Sequence, residues 1–226
     1  MCLSILPPTN SHIACNSTGV YGGVVASGNG DENPNNLNST FLRGIQQANE
    51  LGVATFTTIF PGHYTGRAPH VHTATHFNGT KFPNGTYAGG YVSHVGQIFF
   101  DQDLITAVES TSVYTTNRQA LVLNANDFIF AEEAASNDPV IQYSLLGDSI
   151  EDGIFGWVAF GVDLSRRSTI YPAVTLTEKG GVKNPNGPWS PGGPGGFPPG
   201  FPSGFPSGFP SGFPTALPST SAAASP

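Results

Sequence analysis

The sequence predicts a mainly β protein: an antiparallel β-sandwich with a few short helices and a disordered C-terminal tail. Three observations carry this. Runs of β-branched and aromatic residues recur at short spacing between Gly, Pro and Asn turns, which is the pattern of short strands. No regular alternation of strand and helix appears, so a parallel α/β sheet is not expected. From residue 183 onward the chain becomes a Gly-, Pro- and Phe-rich repeat that cannot build a core.

Taken in order, residues 1–18 carry little periodic signal. Val20–Ala26 reads as a short strand, and the Asn-, Gly- and Asp-rich segment Ser27–Thr40 as a loop. Val53–Phe60 (VATFTTIF) is β-branched and aromatic, so it predicts a strand, punctuated by Pro61-Gly62. Pro69–His76 (PHVHTATH) predicts a second strand and Tyr91–Phe100 a third, with two Asn-Gly turns between them. Asp101–Ser110 has an acidic first turn and apolar residues at Leu104, Ile105 and Val108, which predicts a short helix. Asn124–Ala135 predicts another. Val140–Leu146 and Ile154–Val162 read as strands flanking a Gly-Asp turn. In GFPPGFPSGFPSGFPSGFP a proline every fourth residue forbids helix, so the tail reads as a partly polyproline-like spacer.

The foldable part therefore fits one domain of ordinary size. Of 226 residues only 10% are charged, and the formal net charge is −7. With eight Lys plus Arg there is no broad cationic surface for phosphates, which excludes nucleic acid as a partner. No apolar run is long enough to span a bilayer, so no membrane is expected. No signal peptide opens the chain, so either it is intracellular or its true start is missing. Sequons begin at Asn16, Asn38, Asn78 and Asn84. Cys2 and Cys15 permit one disulfide without implying it.

The chemistry concentrates between His63 and His76. On a strand, residues i and i+2 share a face, so His70, His72, Ala74 and His76 point one way and Val71, Thr73 and Thr75 the other. At a rise of roughly 3.3 Å per residue, His70 and His72 are about 6.6 Å apart and can lean onto one ion; His76, about 13 Å beyond His72, cannot. Tyr64 and Arg67 add a phenol and a guanidinium close before them, in a chain with only five arginines. A phenolate is a hard anionic donor suited to Fe(III), and a ferric ion would hold it deprotonated. Tyr87, Tyr91 and Tyr114 read either as the lining of an aromatic pocket or as core packing.

At these residues FPGHYTGRAPHVH resembles the core motif of the intradiol ring-cleavage dioxygenases, in particular their fungal extracellular branch. CNSTGVYGGVVASGNGD (Cys15 to Asp31), HVGQIFFDQDL (His94 to Leu104) and Val140–Phe160 are similar to it as well. The likeness spans roughly residues 14–165. It implies a domain over residues 14–182, with a spacer tail over 183–226. It implies Tyr21, Tyr64, His70 and His72 as iron ligands, with Arg67 steadying negative charge on the substrate and Gln97 supporting it. The cofactor implied is Fe(III). The substrates implied are a small aromatic diol of the catechol type and O2, and the product a cis,cis-muconate. Tyr64 would take a catechol proton as it leaves the metal. The likeness also implies an extracellular protein and allows a homodimer.

The family's sandwich includes N-terminal strands, and here residues 1–13 stand in their place. The chain therefore reads as N-terminally truncated, with part of the core uncovered. A cupin-type site also begins with His-x-His, but it wants Gly at position 64 and a Glu soon after His72, and neither is present. The remaining alternative is a non-enzymatic secreted β-sandwich module with a degenerate metal site.

Overall fold

The computed structural model describes residues 8–23, 33–170 and 172–184. In chain order its strands and helices are β1 (Thr9–Ile13), β2 (Arg43–Gln47), β3 (His70–Phe77), β4 (Thr80–Lys81), β5 (Tyr87–Ala88), β6 (Tyr91–Phe99), α1 (Gln102–Glu109), α2 (Phe128–Ala134), β7 (Gln142–Leu145), β8 (Ile154–Trp157), β9 (Val174–Thr177) and β10 (Gly180–Lys183). The fold is mainly β and antiparallel, with two short α-helices, as expected. The main sheet runs β2-β1-β3-β6, and β4–β5, β7–β8 and β9–β10 are separate two-stranded hairpins.

The pleat of β3 gives the sheet its two different faces. Val71 points into the apolar core. There it meets Phe100 and Leu104, Ile105 and Val108 of α1, with Tyr143 and Ile154 of the β7–β8 hairpin packed against them. His70 and His72 point the other way. Register pairs His70 with Phe99 and His72 with Gln97 across β3–β6, so these four side chains share the second face. Phe130 of α2 packs edge-on against Phe99 on that face, with ring centroids 5.2 Å apart. Helix α1 forms for the reason expected: the Asp101 carboxylate caps it by accepting the Leu104 amide at 2.7 Å.

Several elements differ from expectation. The segment with little periodic signal contains β1, which sits inside the sheet and pairs with both β2 and β3. β2 was likewise unforeseen, as was the β9–β10 hairpin. Val20–Gly23 is a turn rather than a strand, because Gly22 and Gly23 press against the backbone of Ser39 and Phe41; Val24–Ala26 lie outside the described residues. Val53–Phe60 is not a strand. Its composition favours extended backbone, but it pairs with no strand of the main sheet. Instead Phe56 stacks on His12 at 5.1 Å and Phe60 packs on Phe100 at 4.3 Å. The second helix starts at Phe128, after a separate turn of 3₁₀ helix at Asn124–Asn126, because Asp127 takes the capping position. The strand expected over Ile154–Val162 stops at Trp157.

Other expectations resolve simply. Tyr114 donates to the Phe60 carbonyl at 2.6 Å, Tyr87 accepts from Gly79 N–H at 2.9 Å, and Tyr91 stacks on Phe77 at 5.6 Å. None of the three lies among the contacts of His70 or His72. Cys15 is a buried free thiol and Cys2 lies outside the described residues, as does the repeat tail from 185 onward. Among the described residues no helix is long and apolar enough to cross a membrane.

Candidate metal centre

Two loops and one strand bring the site together. Residues 16–23 carry Tyr21, residues 61–68 carry Tyr64 and Arg67, and β3 carries His70 and His72. The loops lie backbone to backbone. Gly62 N–H donates to the Asn16 carbonyl at 3.1 Å. A Cβ on Gly62 would collide with the carbonyls of Asn16 and Ser17, and one on Gly19 with that of His63. Gly19 also holds φ at +79°, a conformation that glycine adopts without strain. The Asn16 side chain accepts from the Thr18 and Val20 amides, and Asn36 Nδ2 donates to the Tyr21 carbonyl at 2.6 Å. These contacts fix the peptide that presents the first phenol.

The side chains converge on one point. Around His70 Nε2 lie His72 Nε2 at 3.2 Å, Tyr64 Oη at 3.3 Å and Tyr21 Oη at 3.4 Å. His70 Nδ1 lies 2.7 Å from the Ala68 carbonyl, which can only accept. That contact puts the proton on Nδ1 and leaves Nε2 one bare lone pair. One lone pair cannot satisfy three neighbours. Both O···N separations are also longer than an ordinary hydroxyl hydrogen bond of about 2.7–2.8 Å. They match two donors each about 2.0–2.1 Å from a common transition-metal ion, which at a tetrahedral-like angle lie about 3.3 Å apart. The donor set thus fits an ion better than it fits mutual hydrogen bonding. Among the described residues no group of three or more His, Cys, Asp and Glu could hold a metal, so a metal here depends on the phenols.

Electrostatics keep all four groups neutral without an ion. Burial, with the Arg67 charge next, holds His70 well below its ordinary range; burial, Arg67 and Arg43 push His72 down to about 3. Both imidazoles are therefore in the form that binds metals. Burial raises both phenols, Tyr21 strongly, and at Tyr64 the Arg67 guanidinium opposes the rise. Only a strong positive charge would ionise them at neutral pH.

Arg67 is itself buried, 2% exposed. Its Nη1 donates to Tyr64 Oη at 3.3 Å and its Nη2 to Gln97 Oε1 at 2.6 Å. Tyr64 and Gln97 thus both contact Arg67. Sequence reasoning missed the partner on its other edge. Asp127 accepts from Arg67 Nε at 2.8 Å and Nη2 at 3.2 Å, and also from the Ala68, Ile129 and Phe130 amides. The one available signal was an Asp just before a helical run, a capping residue. His63 is no ligand. It is buried against Glu109 Oε1 at 2.8 Å and the Gln119 carbonyl at 3.0 Å, and it ties the Tyr64 loop to α1. His76 lies apart, beside Ser11 and Tyr87.

The structure of an intradiol ring-cleavage dioxygenase from Tetranychus urticae aligns with this chain at a TM-score of 0.57 and 28% identity, covering 74% of this chain and 77% of that one. A second dioxygenase crystal structure aligns at 0.54 and 29% identity, covering 74% and 76%. No protein-family model matches the sequence, and no curated protein does. The chain is thus similar in backbone to intradiol ring-cleavage dioxygenases, and it brings two phenols and two imidazoles to one point.

Proposed function

We propose that the protein is a non-haem Fe(III) dioxygenase that uses O2 to cleave a catechol-type ring between its two hydroxyl-bearing carbons, giving a cis,cis-muconate. The observation that carries this reading is the crowding of Tyr21 Oη, Tyr64 Oη and His72 Nε2 around the single lone pair of His70 Nε2. Two phenolates and two neutral imidazoles suit a hard ferric ion. Bound iron would draw electron density from the chelated diol and make the ring reactive towards O2. Tyr21, Tyr64, Arg67 and His70 are buried, so the reacting centre is shielded from water. A catechol must lose two protons to chelate through both oxygens. Tyr64 Oη would accept one of them and the other would leave to solvent, while Arg67 Nη1 beside Tyr64 would steady the negative charge. The resemblance of the Cys15–Asp31 and His63–His72 segments to the extracellular branch supports placing this activity outside the cell.

Purified protein reconstituted with iron should bind one Fe per chain, show a visible tyrosinate-to-iron absorption and consume one O2 per catechol. A folded protein that stays colourless and iron-free would overturn the reading and leave a non-enzymatic β module.

A further inference from the structure

Asp127 belongs to no expected motif, yet it is 1% exposed and receives five N–H groups. Two come from Arg67, from Nε and Nη2, in the fork geometry that fixes a guanidinium plane as well as its distance. Two come from the first turn of α2. The fifth comes from Ala68, whose own carbonyl takes the Nδ1 proton of His70. Phe128, next in the chain, lies under the guanidinium, with the Arg67 carbon 5.5 Å from the ring centre. Gln97 Oε1 shares Nη2. With Nε and Nη2 taken up in this way, the edge of Arg67 that faces Tyr64 is Nη1.

We infer that Asp127 is a positioning residue of the oxygenation reaction. By gripping the far edge of Arg67 it aims Nη1 at the oxygen of Tyr64 and at the charge that develops beside it. The inference rests on the ferric reading above. The helix is what makes Asp127 suitable. Its carboxylate is held by two backbone amides of α2, so it has little freedom to follow the guanidinium and acts as a fixed stop. An ion pair buried on both sides also cannot swap partners with solvent.

The test is a double-mutant cycle on the iron-loaded full chain, using D127N, R67Q and the pair of substitutions together. Asn is a good helix cap, so D127N keeps the start of α2 while removing the charged fork. D127N should lower kcat by about ten- to a hundredfold, the usual range for a residue supporting a metal site, with KM moved much less. It should also shift the tyrosinate absorption band, which reads the environment of Tyr64 directly. In the R67Q background D127N should change neither kcat nor the band by more than about twofold, since neighbours acting as a unit are not additive. Two results would overturn the inference: D127N with the parent band and kcat, or an equal loss in both backgrounds, which marks a purely structural role. If D127N alone does not fold, the double variant decides. Recovery of a folded, coloured protein shows that the unpaired Arg67 was the fault; failure of both overturns the inference. An iron-free, colourless parent chain would instead sink the ferric reading, which separates the two failures.

Discussion

At the scale of single residues, the site is defined by how many polar atoms share one lone pair. His70 Nε2 has three neighbours at 3.2–3.4 Å because its other nitrogen is committed to the Ala68 carbonyl. Each phenol is therefore tied to the same point by different neighbours: Tyr21 by the Asn16–Asn36 contacts on its backbone, Tyr64 by Arg67 at its oxygen. The two should behave differently when removed. Tyr64→Phe deletes the oxygen that Arg67 addresses, and kcat should fall by roughly 10²–10⁴-fold with loss or displacement of the visible band. Absorption and turnover equal to the parent would take Tyr64 out of the site. His70 and Tyr64 were readable in sequence because both lie within a few residues of a strand whose period of two is a backbone property. Asp127 was not readable. It stands 60 residues from Arg67, and the helix boundary expected at Asn124 placed it inside a helix rather than at its cap.

At the scale of elements, the decisive contact is the close approach of the loop 16–23 to the loop 61–68. It brings together, from separate pieces of chain, the two phenols of the proposed centre. Gly62 has no room for a side chain because the Asn16 and Ser17 carbonyls occupy that space. Gly62→Ala should push the loops apart by enough to misplace Tyr21 relative to Tyr64. Iron content should drop by about tenfold or more, while far-ultraviolet circular dichroism stays near that of the parent, since β1, β3 and β6 are untouched. Full iron loading in this variant would show that the approach is not needed. The elements that sequence missed share a cause. β1 (TNSHI) is half-buried at every position and β2 is largely exposed, so neither alternates in the way that marks a strand. β1 becomes a strand by pairing with β3, 59 to 67 residues further along the chain, and β2 by pairing with β1. Val53–Phe60 shows the reverse. It has the composition of a strand but is held by the ring contacts of Phe56 and Phe60 rather than by ladder pairing.

At the scale of the whole molecule, all groups of the proposed centre lie between Tyr21 and Asp127. β9–β10 touches this region through Asn38, whose side-chain oxygen accepts the Gly181 amide at 2.8 Å. Removing residues 185–226 should leave iron content unchanged and kcat within about twofold, because the four proposed ligands lie at or before His72 and a Gly- and Pro-rich repeat cannot build a core. A loss of iron or of turnover on truncation would assign the repeat a part in the site. Exposed apolar side chains gather on the outer face of the β7–β8 hairpin, where Phe155 and Trp157 are 57% and 45% exposed. The core accordingly lies on one face of the main sheet and the chemistry on the other.

The sequence by itself determined the kinds of donor atom and their local spacing. It also determined the mainly β, antiparallel class, because strand period and turn residues act over a few positions. The family resemblance already implied that Tyr21 and Tyr64 meet; the tertiary structure alone decided which glycine contacts hold them together and that Asp127 grips Arg67. It alone decided that residues 9–13 complete the sheet. Those pairings join segments far apart in the chain, and they are fixed by register, by glycine-permitted close approach and by burial of charge, none of which has a local signature.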